Sequence, residues 1–172
     1  NSGLWRYMIG DTVRFTSLKP HRIRVSGRTK HHINVFGEEL MVENTDQAIA
    51  KTSSALNCEV KDYTVAPIFM KGKEKGAHEW MIEFKKHPED IAQFQKVLDE
   101  TLQTVNSDYE AKRYNNMTLN QLKVNVAREN LFYDWLKEQD KLGGQHKIPR
   151  LSNDRDYLEQ LIGMQVIVNS KG

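Results

Sequence analysis

A single cysteine, Cys58, is all the thiol chemistry in the chain, so no internal disulfide is available and a cystine-held secreted scaffold is excluded. One thiol fits a reducing, cytoplasmic setting. It opens an apolar, strand-like run and reads as a buried structural group rather than a nucleophile. Charge of one sign is also missing. With 25 Lys and Arg against 23 Asp and Glu, the chain has no basic field to draw nucleic acid or an anionic membrane surface. No apolar run approaches the roughly 18 residues that span a bilayer, and no signal peptide is expected. Internal repeats, low-complexity tracts, a glycine-rich phosphate loop and Ser-His-Asp or Cys-His arrangements are all absent. The six histidines show no metal-ligand spacing, and His31 and His32 alternate across a strand. What is left is a globular composition, 38% apolar and 28% charged. At 172 residues it is long enough for one domain, or a small domain with an appendage.

The stretch from Gly3 to Asn44 organises the rest. Val13 and Phe15, Ile23 and Val25, and Ile33 and Val35 alternate with polar residues, the period-2 signal of half-buried strands. Strands are expected at 4–9, 11–16 and 21–25, with an apolar face around Trp5, Val13, Phe15 and Ile23 that the rest of this chain does not cover. Self-association of the chain is the expected result. Glu38, Glu39 and Glu43 place negative charge where a helix N-terminus favours it. Asp11 follows Gly10 at the mouth of a strand, where a carboxylate can accept hydrogen bonds from ribose hydroxyls. Arg28 follows Gly27 at the end of another, where a guanidinium can fork onto phosphate or carboxylate oxygens. Each pair by itself is also ordinary turn chemistry.

Further on, a helix is expected from Val42. A strand follows over Cys58–Met70, with Pro67 ending it or marking an edge. After a charged hairpin loop at 71–78 comes a returning antiparallel strand. Its apolar residues are Trp80, Ile82 and Phe84, and they alternate with Met81, Glu83 and Lys85. Pro88 is placed in the first turn of the next helix, which carries the stripe Ile91, Phe94, Leu98, Leu102 and Val105. A short helix over 106–113, a strand through Leu122, Val124 and Val126, and helices at 129–141 and from Asp154 to about Met164 complete the pattern. The fold class is α+β: a three- or four-stranded, mostly antiparallel sheet between 31 and 142, helices on one side of it, and a β-ribbon ahead of it. In the loop Gly144-Gln145-His146-Lys147-Ile148-Pro149-Arg150, Lys147 is by composition a flexible surface lysine.

Order and spacing connect these pieces. Y-M-I-G-D-T-V-R-F, followed by R-I-R-V-S-G-R-T-K-H-H-I-N-V-F-G-E-E-L and, near the end, G-Q-H-K-I-P-R, resembles the acyl acid–amido synthetases of the auxin-responsive (Gretchen Hagen) family, within the adenylate-forming superfamily. The resemblance implies that Asp11 holds the ATP ribose and Arg28 reaches the nucleotide. It implies that Lys30 is a hinge and that Lys147 is the catalytic lysine of acid activation. It also implies ATP and Mg²⁺, a carboxylic acid, and an amine acceptor of amino-acid type. No metal ligand is assigned in this chain. On this resemblance residues 1–29 are a ribbon from the end of a larger domain, and 30–172 are a mobile C-terminal lid. The chain begins with Asn and enters a strand almost at once, so a longer protein is expected, with the acid and ATP pocket mostly upstream and the fragment inactive alone. Two other functions stay open: a coenzyme A ligase of the same superfamily, and a non-catalytic α+β interaction module.

Overall fold

The computed structural model describes residues 11–28, 32–72, 74–114, 118–140 and 148–169. Its main sheet is built on the alternation of Trp80, Ile82 and Phe84 along β6 (Ala77–Lys86), the middle strand of three. On one side β5 (Glu59–Ile68) runs antiparallel, with Tyr63 opposite Ile82 and Val65 opposite Trp80. On the other, β7 (Lys123–Val126) pairs with Trp80 through Val124, and it does so in parallel. A parallel neighbour needs a long crossover, which α2 (Ile91–Val105) and α3 (Ser107–Arg113) supply.

The first face of the sheet carries the larger core. Tyr63, Val65, Trp80, Ile82 and Phe84 pack against Ala48 and Ile49 of α1 (Val42–Ala55) and against Phe94, Leu98 and Leu102 of α2. Trp80 stacks on Tyr63 at 5.4 Å, and Phe84 meets Phe94 edge-on at 5.1 Å. Burying each such side chain stabilises by about 1.5–3 kcal/mol. The expected one-sided arrangement does not hold. Ala66 and Met81 on the second face lie under Leu131, Phe132 and Trp135 of α4 (Leu131–Glu138) and Leu158 and Leu161 of α5 (Asp156–Asn169). The pattern misled because Glu79 and Glu83 share that face and look solvated, whereas they are only 4% and 1% exposed. Each is paired. Glu83 accepts from Lys61 Nζ at 2.6 Å and from the Asn130 N–H at 2.8 Å.

Helix starts follow local chemistry, with two departures from expectation. Asn44 turns back to accept from the Met41 N–H, and Glu43 lies in the first turn of α1. Glu38 takes no part in that start. It is fully buried, accepting from the Phe36 N–H at 2.7 Å and from His78 Nε2 at 2.8 Å. Burial by itself raises its pKa, but the hydrogen bond and electrostatic pull of His78 leave it below the ordinary carboxylate value. At α2, Asp90 is the cap and accepts from the Ala92 N–H, so Pro88 stands ahead of the helix rather than in its first turn. Asp99 then binds three elements together. It accepts from the Tyr109 hydroxyl at 2.7 Å, from Arg113 at 2.8 Å and from the Leu122 N–H at 3.2 Å. Cys58 is a free, half-buried thiol ahead of β5.

Upstream, β1 (Asp11–Leu18) and β2 (His21–Arg28) form a separate antiparallel ribbon. A small pair, β3 (His32–Ile33) with β4 (Leu40–Met41), joins it to the main body. The strand expected at 4–9, Trp5 included, lies outside the described residues. Among the described residues no helix is long and apolar enough to cross a membrane.

In the ribbon Val13 pairs with Val25 and Phe15 with Ile23, and all four are half or more exposed. Two strands with an open apolar face are marginal in water. The chain by itself should therefore self-associate in a concentration-dependent way, and Phe15→Thr with Ile23→Thr should return it to monomer. Light scattering checks this; a clean monomer at high concentration in the unmutated chain removes the idea.

Candidate functional site

The outer edge of β5 is where the chain returns late in its course. Pro67 lies within this strand and has no N–H for a ladder, as suits an edge. Residues 148–152 lie along that edge. The Val65 N–H donates to the Arg150 carbonyl at 2.9 Å, and the Ser152 N–H donates to the Val65 carbonyl at 3.0 Å. The Thr64 hydroxyl donates to the Pro149 carbonyl at 2.7 Å. Ile148 and Leu151 turn into the protein and are buried. Residues 148–152 thus run along the edge on a single parallel bridge, Val65 with Leu151, with Ile148 and Leu151 as hydrophobic pins.

Arg150 reaches across this edge. Its guanidinium lies over the Tyr63 ring, 4.9 Å from the centroid, and donates to the Asp46 carboxylate of α1. The Tyr63 hydroxyl donates to the same carboxylate at 2.6 Å and lies 2.8 Å from the Thr45 hydroxyl. Burial first, and then the neighbouring carboxylate, push the Tyr63 phenol well above its ordinary pKa. It stays a neutral donor.

Asn153 follows directly and works like a piece of strand. Its Oδ1 accepts from the Asn34 N–H at 3.0 Å, and its Nδ2 donates to the His32 carbonyl at 2.8 Å. The end of the lysine segment is therefore fastened to the residues just after Lys30. The same junction is held from below by the Glu38–His78 pair and by Phe36. A Cβ placed on Gly76 would stand 2.4 Å from the Phe36 ring, so any larger residue there has to displace that ring. Arg155, next along, donates to the Pro67 carbonyl at 3.0 Å and to Glu79 at 2.7 Å. Lys123 and Asn125 complete the carboxylate's shell at 2.7 and 2.8 Å.

Asp11 and Arg28 are register partners at one end of the β1–β2 ribbon. The fold brings these two chain positions together, although their side chains lie outside the described set. Lys30 and Lys147 lie outside it altogether. The nearest described residues along the chain are His32, whose carbonyl accepts from Asn153, and Ile148, which is buried. Asp46, Tyr63, Thr64, Arg150 and Asn153 were missed from sequence. The one signal that pointed to them was the Pro-Arg following Lys147. Among the described residues no three His, Cys, Asp or Glu side chains stand close enough to hold a metal ion.

Residues 43–156 match the model described as the GH3 family C-terminal domain. The chain belongs to this family. Two solved structures share the fold: one described as GH3.15 acyl acid amido synthetase (TM-score 0.70, 20% identity), the other as AtGH3.15 acyl acid amido synthetase in complex with 2,4-DB (TM-score 0.69, 20% identity). In each case 94% of this chain is covered and 31% of the other. The chain therefore spans about a third of the length of these enzymes. No curated protein matches it. The region that identifies this GH3 C-terminal domain takes in the whole main sheet and the lysine segment, and begins downstream of the ribbon.

The Glu79 cluster makes this edge acid-sensitive. Burial raises the Glu79 pKa, but hydrogen bonds from Lys123, Asn125 and Arg155 outweigh it and bring the carboxyl down to about 2. A carboxyl below its unfolded value of about 4.3 stabilises fully above that pH, and loses the contribution as pH falls toward 2. Glu79→Gln should lower the urea midpoint at neutral pH and flatten its fall between pH 5 and pH 2. Parallel pH slopes in the two proteins would count against the assignment.

Proposed function

We propose that this GH3 C-terminal domain is the lid of an enzyme that activates a carboxylic acid with ATP and passes the acyl group to an amine, such as that of an amino acid. Residues 1–29 then belong to the end of a larger domain, and 30–172 turn about Lys30. The single thiol favours a cytoplasmic setting. The carrying observation is the order of parts. Asp11 and Arg28, paired across the ribbon's end, precede the family match over 43–156, and Lys147 falls within it.

The chemistry assigns each residue a task. A carboxylate oxygen attacks the α-phosphorus of ATP and pyrophosphate leaves, giving the acyl adenylate. An amine nitrogen then attacks the acyl carbon, loses a proton and displaces AMP. Two anions must meet in the first step. The Lys147 ammonium can bridge the acid and phosphate oxygens where charge concentrates, an interaction strongest in the transition state. Asp11 would accept from the ribose hydroxyls in ground and transition states alike, and Arg28 would fork onto the nucleotide. The described residues do not make up a Mg²⁺ site; the ion would come with the phosphates of the nucleotide, and no step here depends on its placement.

The test is acid-dependent pyrophosphate exchange on the intact enzyme. Lys147→Ala should slow exchange by about 10²–10³-fold with little change in the KM for ATP. Asp11→Ala should mainly raise that KM. Lys30→Pro fixes one backbone dihedral and should impair one half-reaction more than the other. Undiminished exchange in Lys147→Ala would return the lysine to an ordinary surface role.

A further inference from the structure

The main sheet has two outer edges, and they are closed by different means. Along β5 the main chain of residues 148–152 closes it. Along β7 side chains take the place of a strand. The Ala127 N–H donates to the Ile82 carbonyl at 2.8 Å, so odd-numbered residues of β7 face β6 and even-numbered ones face outward. Four outward groups are met in turn. The Leu122 N–H donates to Asp99 at 3.2 Å, and the Val124 N–H donates to Gln95 Oε1 at 3.0 Å. Gln165 then takes two rungs. Its Nε2 donates to the Val126 carbonyl at 3.0 Å, and its Oε1 accepts from the Arg128 N–H at 3.2 Å. Gln95 and Asp99 are four residues apart on α2. Four helical residues rise about 6 Å and two strand residues about 6.6 Å, so these side chains keep step with alternate amides.

We propose that Gln95, Asp99 and Gln165 keep the β7 edge shut against a strand from a second copy of this chain, and that the strand they exclude is the β1–β2 ribbon. The ribbon has no further strand neighbour among the described residues, and its Val13, Phe15 and Ile23 are exposed. Two ways of covering it differ in kind. Ribbon on ribbon uses the same patch on both copies and closes at a dimer. Ribbon on β7 uses two different patches, leaves one of each free at the ends and grows without limit. An edge amide already bonded to a fixed side chain gains little from an incoming strand, because each rung made breaks one that exists. The three side chains thus direct the association that the ribbon drives toward a closed pair.

The experiment compares the 172-residue chain with its Gln95→Met/Gln165→Met variant, which keeps side-chain length and removes both amides. Asp99 is left in place because it also holds Tyr109 and Arg113. In dilute solution, hydrogen exchange at the Val124 and Arg128 amides should quicken by about 5–10-fold in the variant, the loss of one hydrogen bond at each. On concentration, the variant's light-scattering mass should rise past a dimer without levelling, and exchange at the same two amides should slow again as a strand arrives. In the unmutated chain the mass should level off at or below a dimer, and the two rates should not change with concentration. Adding Phe15→Thr and Ile23→Thr should stop the variant's growth. A variant whose mass and edge exchange match those of the unmutated chain overturns the proposal, as does unlimited growth of the unmutated chain. Growth that survives the two threonines overturns the ribbon as the excluded strand. Exchange at Ala127, whose N–H faces β6, reports whether β7 is still in the sheet. Where the double variant has lost that protection, Gln165→Met alone is read against the same criteria at Arg128.

Discussion

Removed from water on both faces, β6 directs Trp80, Ile82 and Phe84 to one set of helices and Glu79, Met81 and Glu83 to the other. A buried carboxylate without partners costs several kcal/mol. The two glutamates therefore constrain what can cover the second face. Glu83 needs Lys61 and the Asn130 amide, which fixes the entry to α4. Glu79 needs Lys123, Asn125 and Arg155, which fixes β7 in register and sets where α5 begins. The polar half of the strand specifies the arrangement that the apolar half stabilises.

The edge of β5 follows from this. Arg155 on Glu79 brings the chain just ahead of α5 to Pro67, and the residues before it have one open ladder to join. An uncovered edge strand is a liability, and residues 148–152 close it. Asn153 then uses both ends of its amide to copy a strand pair onto His32 and Asn34. The residues that leave the ribbon and the residues that follow Lys147 are fastened to one frame, although they are more than 100 positions apart, as the 121-residue span of the Asn153–His32 contact shows.

Much of this was legible in the chain. Period-2 alternation located β1, β2 and β6, a run rich in β-branched and aromatic residues located β5, and the stripe from Ile91 to Val105 gave α2 as a core helix. Membership of the family was legible in three short motifs. What was not legible shares a physical cause: it depends on partners distant in sequence. Glu38 looks like a helix-start charge until His78, 40 residues on, takes it into the core. Glu83 looks solvated until α4 covers it. Nothing local marks β7 as parallel, because its direction is set by the crossover through α2 and α3. Arg150 resembles any basic loop residue until Asp46, 104 positions earlier, is seen to hold it.

The return of the chain to β5 also bears on the order of folding. Val65 meets Leu151, and His32 meets Asn153, so these contacts cannot form until most of the domain has been drawn in. Closing such long loops carries an entropic cost before any contact repays it. The edge of β5 is therefore expected to be among the last parts of the sheet to be covered during folding.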